Sequence, residues 1–298
     1  MRIAITGASG FVGAATAAYL TQAGHEVVAL VRKPARTAGQ VAWQPATGEL
    51  DRTALGNIDA VVHLAGENVA GGRWSKNRKQ AIAESRGPVT EALTRSLAAL
   101  PHTPTVLVSA SATGIYGDRG DEELDESSEP GRGFLAEVAK AWEAGTEPAR
   151  AAGIRVVNLR IGMVLDRQGG ALQKMLLPFR LGLGGRLGHG RQWMSWIARN
   201  DLVRAIEWAL THATLAGPVL AVAPNPVRNS EFTRVLGRTL HRPTLFPVPA
   251  FALRALLGEM ADALLLSSQR ATPSTLTASG FHFEHAHVEP ALRALLAR

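Results

Sequence analysis

Arg2-Ile3-Ala4-Ile5-Thr6 runs directly into Gly7-Ala8-Ser9-Gly10-Phe11-Val12-Gly13, and this junction decides the fold. The first five residues read as a buried strand, and the Ala-rich pattern from Phe11 reads as a helix that ends at Gly24. A strand that enters a helix through three glycines spaced three apart lets backbone N–H groups approach a pyrophosphate, while the helix N-terminus adds positive partial charge. Gly7, Gly10 and Gly13, with Ser9, Phe11 and Val12 between them, are therefore expected to hold a dinucleotide. Glycine triplets arise by chance in a chain with 30 glycines, so the placement between first strand and first helix is what gives this one weight.

Working outward, Glu26 to Val31 is the second strand, and the residue after it faces the adenosine ribose in such folds. An acid there bonds a ribose 2′-hydroxyl, whereas Arg32, followed by Lys33, accommodates a 2′-phosphate. The expected cofactor is NADP(H). Val41 to Gln44 reads as a short strand, and residues 59–65 as a buried parallel strand that places Leu64, Ala65, Gly66 and Glu67 against the cofactor. The Gly-rich loop that follows brings Asn68, Arg73 and Trp74 to the substrate side, at the carboxyl end of a strand where open α/β sheets bind their ligands. Ser75 to Leu100 is helical with a break near Gly87-Pro88, and Thr105 to Ser109 is another buried strand, with Ser109 near the cofactor. The strand leads to Ser111 and Tyr116; the acidic run from Asp121 to Glu126 is expected to be a solvated loop.

A helix over 134–152 and a strand over 155–161 continue the β-α alternation, which predicts an α/β, Rossmann-type doubly wound parallel sheet. Residues 1–165 form the expected nucleotide-binding domain, with about 192–225 returning to it. Residues 166–298 are mostly an interleaved, mainly helical substrate lobe, including a C-terminal helical part at 249–296. Between Gly182 and Trp193 lies a Gly-rich loop, expected to be mobile, that brings His189 and Trp193 over the substrate.

Composition narrows the function classes. With 46% hydrophobic and 19% charged residues the chain is an ordinary globular protein. No apolar run reaches the roughly 18 residues that cross a bilayer, and the first strand starts at residue 2, so a cytoplasmic location without a membrane partner is expected. The absence of cysteine excludes disulfides, thiolate catalysis and Cys-based zinc sites, and no metal site is expected. An excess of 32 Lys and Arg over 25 Asp and Glu gives +7, read as cations dispersed along the chain rather than a nucleic-acid footprint. Nothing in the sequence decides the oligomeric state.

Gly7 to Gly13, the strand ending His63-Leu64-Ala65, the segment Ser109 to Gly117 and Arg160-Ile161-Gly162 together resemble the extended short-chain dehydrogenase/reductases of the nucleotide-sugar epimerase branch. Residues 66–74, Trp142-Glu143, 184–197 and 223–227 resemble a subgroup of atypical epimerase family proteins that sometimes carry the SulA cell-division-inhibitor label, and 249–296 resembles its C-terminal helical domain. The resemblance implies that Ser111 orients a substrate oxygen, and that a Tyr-x-x-x-Lys on the following helix supplies proton and ribose contacts. This chain has no such motif. If Lys140 marks the lysine, the tyrosine position is Ala136; if Glu143 sets the register, the two positions are Leu135 and Ala139. Only Tyr19 and Tyr116 exist, so the candidates for proton transfer are Tyr116, Glu67, Glu137 and, in the loop, His189. Two readings follow: an NADP(H)-dependent oxidoreductase or epimerase-like enzyme on a small carbonyl or sugar-like substrate, or a non-catalytic NADP(H)-binding redox sensor or partner-binding module.

Overall fold

In the computed structural model, which describes residues 1–297, β1 (Arg2–Thr6) is the hinge of the topology. It is apolar on both faces, as a parallel strand covered on each side by helices must be. The chain passes from β1 through α1 (Phe11–Gln22) to β2 (Glu26–Val31), β3 (Gln40–Gln44), β4 (Glu49–Leu50) and the short α2 (Arg52–Leu55). It then crosses to the other side of β1 with β5 (Ala60–His63). Helices α3 (Lys76–Glu84) and α4 (Gly87–Ala98) lead to β6 (Val106–Ala112), a 3-10 turn over Thr113–Tyr116, and β7 (Glu123–Leu124). After α5 (Phe134–Ala144) and α6 (Glu147–Ala151) come β8 (Arg155–Ile161) and β9 (Met163–Asp166).

The remaining elements are α7 (Gly170–Arg180), β10 (Trp193–Met194), β11 (Trp196–Ala198), α8 (Arg199–Thr211), β12 (Gly217–Ala221), β13 (Val227–Arg228) and α9 (Asn229–Thr239). The tail contributes α10 (Ala250–Leu257), α11 (Glu259–Ala261), β14 (Arg270–Ala271), α12 (Ser274–Ala278) and α13 (Val288–Leu296). The main sheet runs β12-β8-β6-β5-β1-β2-β3-β4, parallel throughout except for the antiparallel β3–β4 edge. Strand order reverses between β1 and β5, which opens a crevice beyond their carboxyl ends. This is the expected doubly wound α/β sheet.

Two apolar layers cover the sheet. One packs Ile3, Ile5, Val108 and Leu159 beneath Leu202, Ile206 and the tail's Phe281 and Phe283; the other packs Ala4, Val61 and Leu107 against Leu93 and Leu97 of α4. A third cluster joins α7, α9 and α13 into the smaller lobe through Leu172, Phe232 and Leu292. The expected helix over 134–152 is two helices. Gly145 ends α5 because its neighbours crowd it: a side chain there would stand 2.8 Å from the Gly87 carbonyl oxygen of α4, and Pro148 starts the next turn.

The tail is not a separate appendage. Its β14 pairs with β7, just after Tyr116, and buried Asp201 of α8 accepts hydrogen bonds from the Glu284 and His285 backbone N–H groups, both at 2.9 Å.

Candidate functional site

The three glycines meet three different steric demands. Gly7 sits at φ +69, a left-handed conformation, with Leu64 and Ala65 so close that a β-carbon would lie 2.9 Å from the Ala65 nitrogen. Gly10 is the N-cap of α1 and has no side chain to cap it, leaving the first-turn N–H groups of Phe11 and Val12 for a ligand. Gly13 lets the helix settle on the turn, since a side chain there would overlap the Gly7 carbonyl. Ser9 and Gly10 are exposed at the crevice. The Phe11 ring packs on Gly169 and Gly170, with the Arg199 guanidinium 5.0 Å from its centre.

Beneath the turn, Thr6 Oγ1 accepts from the backbone N–H groups of Leu64 (3.1 Å) and Ala65 (3.2 Å) and stands 2.7 Å from His63 Nδ1. His63 Nε2 lies 2.9 Å from Thr90 Oγ1, so the imidazole joins β1, β5 and α4. Burial drives its pKa down to about 4, which keeps it neutral. At the far end of β2, Arg32, Lys33 and Arg36 are exposed, and among the described residues none of them forms an ion pair. A pyrophosphate at the glycines and a phosphorylated ribose at Arg32 fit these surroundings.

The loop after β5 is fastened from outside. Arg78 pairs with the Glu67 carboxylate at 2.7 Å and also donates to the Asn68 carbonyl, while Trp74 Nε1 donates to the Val69 carbonyl at 2.8 Å. The Glu67 carboxylate, a candidate for proton transfer from sequence, is thus engaged by Arg78. Asn68 Oδ1 accepts from its own loop at Ala70, and exposed Arg73 lies beside Gly258 of the tail. Behind Gly66 lies a residue that the sequence reading missed. Arg86 is buried, donates to the carbonyls of Glu67 (3.0 Å) and Ile82 (3.1 Å), and stacks 4.7 Å from the Trp142 ring centre. Burial lowers its pKa to about 10, against the opposing pull of Glu67.

On the substrate side, Ser109 and Ser111 of β6 are both buried. Ser111 Oγ donates to Glu143 Oε1 at 2.7 Å, and Arg160 grips the same carboxylate with both arms, Nε to Oε1 at 2.9 Å and Nη2 to Oε2 at 3.0 Å. Arg160 Nη1 also donates to the Tyr116 hydroxyl at 2.9 Å and to the Glu126 carbonyl at 3.2 Å. Burial alone would lower the Arg160 pKa, but the Glu143 carboxylate and Tyr116 raise it above its ordinary value. Arg160 left a sequence signal, a charge in the Arg160-Ile161-Gly162 end of a mostly apolar strand, and Glu143 entered only through the resemblance, as part of the Trp142-Glu143 pair and as a marker of register.

Tyr116, a candidate proton donor from sequence, is enclosed and engaged. It is fully buried, its hydroxyl donates to the Asp125 carbonyl at 2.8 Å, and burial pushes its pKa up to about 12 despite Arg160. Glu137 is outside the site: it is exposed and paired with Lys140 at 2.6 Å on the outer face of α5. That pair holds Lys140 on the outer face, whereas Ala139 packs with Ile115 and Tyr116 and Leu135 lies against Gly114, the two positions of the register that Glu143 sets.

One further expectation changes and another gains detail. The Gly182–Trp193 loop is stitched down rather than loose: Gly188 and Val248 bond through the backbone at 2.9 Å, Leu187 N–H donates to Asn229 at 2.8 Å, and Gln192 donates to the Leu187 and Leu265 carbonyls. Trp193 is held as a joint, with Nε1 donating to Asp121 at 2.8 Å and its ring between the guanidinium groups of Arg228 and Arg270; His189 remains exposed. The acidic run is solvent-exposed at Asp121, Glu122 and Glu123, as expected, but it is also anchored: Asp121 pairs with Arg228, Glu123 with Arg270, and the half-buried Glu126 accepts from the Leu220 and Thr275 backbones. Among the described residues no cluster of acidic, histidine or cysteine ligands could hold a metal.

Comparison with known proteins agrees with this architecture. Residues 3–223 match the model of the NAD dependent epimerase/dehydratase family, and residues 248–295 match a domain of unknown function, DUF1731. An epimerase family protein of Mycobacterium tuberculosis is 44% identical over 290 residues, covering 97% of this chain and 96% of the relative. Epimerase family protein YfhF of Bacillus subtilis is 38% identical, covering 100% of this chain and 98% of the relative. The crystal structure of human epimerase family protein SDR39U1 (isoform 2) with NADPH superposes with a TM-score of 0.91 at 32% identity, covering 99% of each chain. The chain belongs to the NAD-dependent epimerase/dehydratase family.

Proposed function

We propose that this protein binds NADP(H) and acts as an oxidoreductase or epimerase-like enzyme on a small carbonyl or sugar-like substrate, without a tyrosine proton donor. The cofactor half rests on the glycine turn, the uncapped α1 N-terminus and the unpaired Arg32, together with the human relative's NADPH. When bound, NADP(H) supplies or accepts the hydride.

The observation that carries the substrate half is the Ser111–Glu143–Arg160 chain. Both Glu143 oxygens are held by the two arms of Arg160, and Oε1 also accepts from Ser111, so we assign Glu143 the role of orienting Ser111. With its proton committed to Glu143, Ser111 offers lone pairs to a ligand, which suits a substrate hydroxyl better than a carbonyl oxygen. Tyr116, Glu67 and Glu137 are engaged elsewhere, which leaves water or the exposed His189 to exchange the proton of the reacting oxygen.

Those same engagements favour a second reading, a non-catalytic NADP(H)-responsive module. Absorbance of NADPH and NADP⁺ is followed against panels of carbonyls, alcohols and nucleotide sugars, with wild type beside Ser111→Ala. Turnover that falls in the variant supports the enzyme. Tight NADPH binding, no turnover across the panel and cofactor-dependent hydrogen exchange over 182–193 support the module.

A further inference from the structure

The charge and apolar exposure of this molecule collect in one place. Eight large hydrophobic side chains are exposed among the described residues, and seven of them, all but Met1, fall in two segments. Leu177, Leu181 and Leu183 lie on and just after α7, and Leu245, Phe246, Phe251 and Leu256 lie on and before α10, each 61% to 76% exposed. The two segments run side by side. The Arg242 guanidinium donates to the Arg180 carbonyl at 2.8 Å, Gly182 lies against Pro243, and Leu187 bridges to Val248.

The same segments carry the cations. Residues 170–192 contain Lys174, Arg180, Arg186 and Arg191 with no Asp or Glu, and residues 232–256 contain Arg234, Arg238, Arg242 and Arg254 with none either. That is +8 against +7 for the whole chain, so the other residues sum to −1. The charge that reads as dispersed along the sequence is gathered by the fold. Of the eight, only Arg254 forms an ion pair among the described residues, with Asp262.

We infer that this face docks on an anionic lipid surface, with the leucine and phenylalanine tips entering the headgroup boundary and the arginines meeting lipid phosphates. Exposed apolar tips flanked by seven cations that form no ion pair among the described residues are what a peripheral anionic-membrane site requires. A second copy of the chain is the poorer occupant, because a symmetric contact would set eight cations against eight. A nucleic acid would use the cations and leave the apolar tips in water. The absence of a helix long and apolar enough to cross a membrane bears only on spanning, so the expectation of no membrane partner is revised for this face alone. The inference does not rest on the proposed enzymatic function.

Vesicle flotation tests it, using full-length protein with phosphatidylcholine alone and with phosphatidylcholine mixed with phosphatidylglycerol. Two triple variants accompany wild type: Leu245→Ser, Phe246→Ser, Phe251→Ser, and Arg180→Gln, Arg186→Gln, Arg238→Gln. NADPH affinity and thermal midpoint report that each remains folded. Wild type should float only with the anionic vesicles, the arginine triple should lose about a hundredfold in partitioning, and the apolar triple should also detach. Three results overturn the inference: no flotation of wild type with anionic vesicles, concentration-dependent self-association that the apolar triple abolishes without lipid binding, or capture by an RNA oligonucleotide that the apolar triple leaves intact.

Discussion

The cofactor turn and the Ser111 side of the crevice lie at the carboxyl ends of β1 and β6, on either side of β5, yet they are built in opposite ways. The turn is made by omission: three missing β-carbons and a missing N-cap side chain leave backbone donors and room. The Ser111 side is made by commitment, with the Ser111 and Tyr116 hydroxyls bonded into a network with Glu143, Asp125 and Arg160. Removing a side chain prepares a site for a ligand; pairing side chains prepares a site that holds its shape.

That contrast predicts where the molecule breaks. The largest effect belongs to Glu143→Ala, which strands Arg160 as a buried, uncompensated cation. Urea unfolding should show a loss of about 3–5 kcal/mol, and the Glu143→Leu, Arg160→Met pair should recover much of it. An unchanged midpoint in Glu143→Ala would mean that the ion pair holds nothing together.

Next comes the imidazole under the turn. His63 is pushed down to about 4 in the folded protein, against 6.5 for the unreacted group, so the unfolded chain binds the proton more readily between those values. Its neutral form therefore supports folding above pH 6.5, and that support fades as pH falls toward 4. Stability at pH 5 should be about 2 kcal/mol below that at pH 7, and His63→Gln should flatten this part of the profile. A profile identical in variant and wild type would show that the histidine does not couple the turn to pH.

The smallest effect sharpens the assignment of Tyr116. Tyr116→Phe removes the hydroxyl between Asp125 and Arg160 and should cost about 1 kcal/mol. It should leave any NADPH turnover unchanged, and a hundredfold drop would return Tyr116 to the chemistry.

The fold was legible because it is written locally. Apolar runs at β1, β5, β6 and β8, separated by helical periods and turn glycines, describe a doubly wound sheet without reference to anything distant. The site was only half legible. Gly7, Gly10 and Gly13 act through their own backbone, so their spacing told their role. Glu143, Arg160 and Ser111 are 17, 49 and 32 positions apart in pairs, and only the packing of α5 on β6 and β8 joins them. The acidic run was read rightly as solvent-facing over Asp121 to Glu123, but its pairing with Arg228 and Arg270, which β13 and the tail bring to it, was not legible for the same reason. Lys140 was ambiguous in sequence because one step of register separates an inward from an outward helix position; its ion pair with Glu137 holds it on the outer face.

The central claim is that the cradle made by omission selects a dinucleotide carrying a 2′-phosphate. Equilibrium titration of wild type and Arg32→Glu with NADPH and NADH tests it most directly. Wild type should prefer NADPH at least about tenfold, and Arg32→Glu should reverse or erase that preference by placing an acid opposite the phosphate. Equal affinity for the two cofactors in wild type, or an unchanged preference in Arg32→Glu, would contradict it.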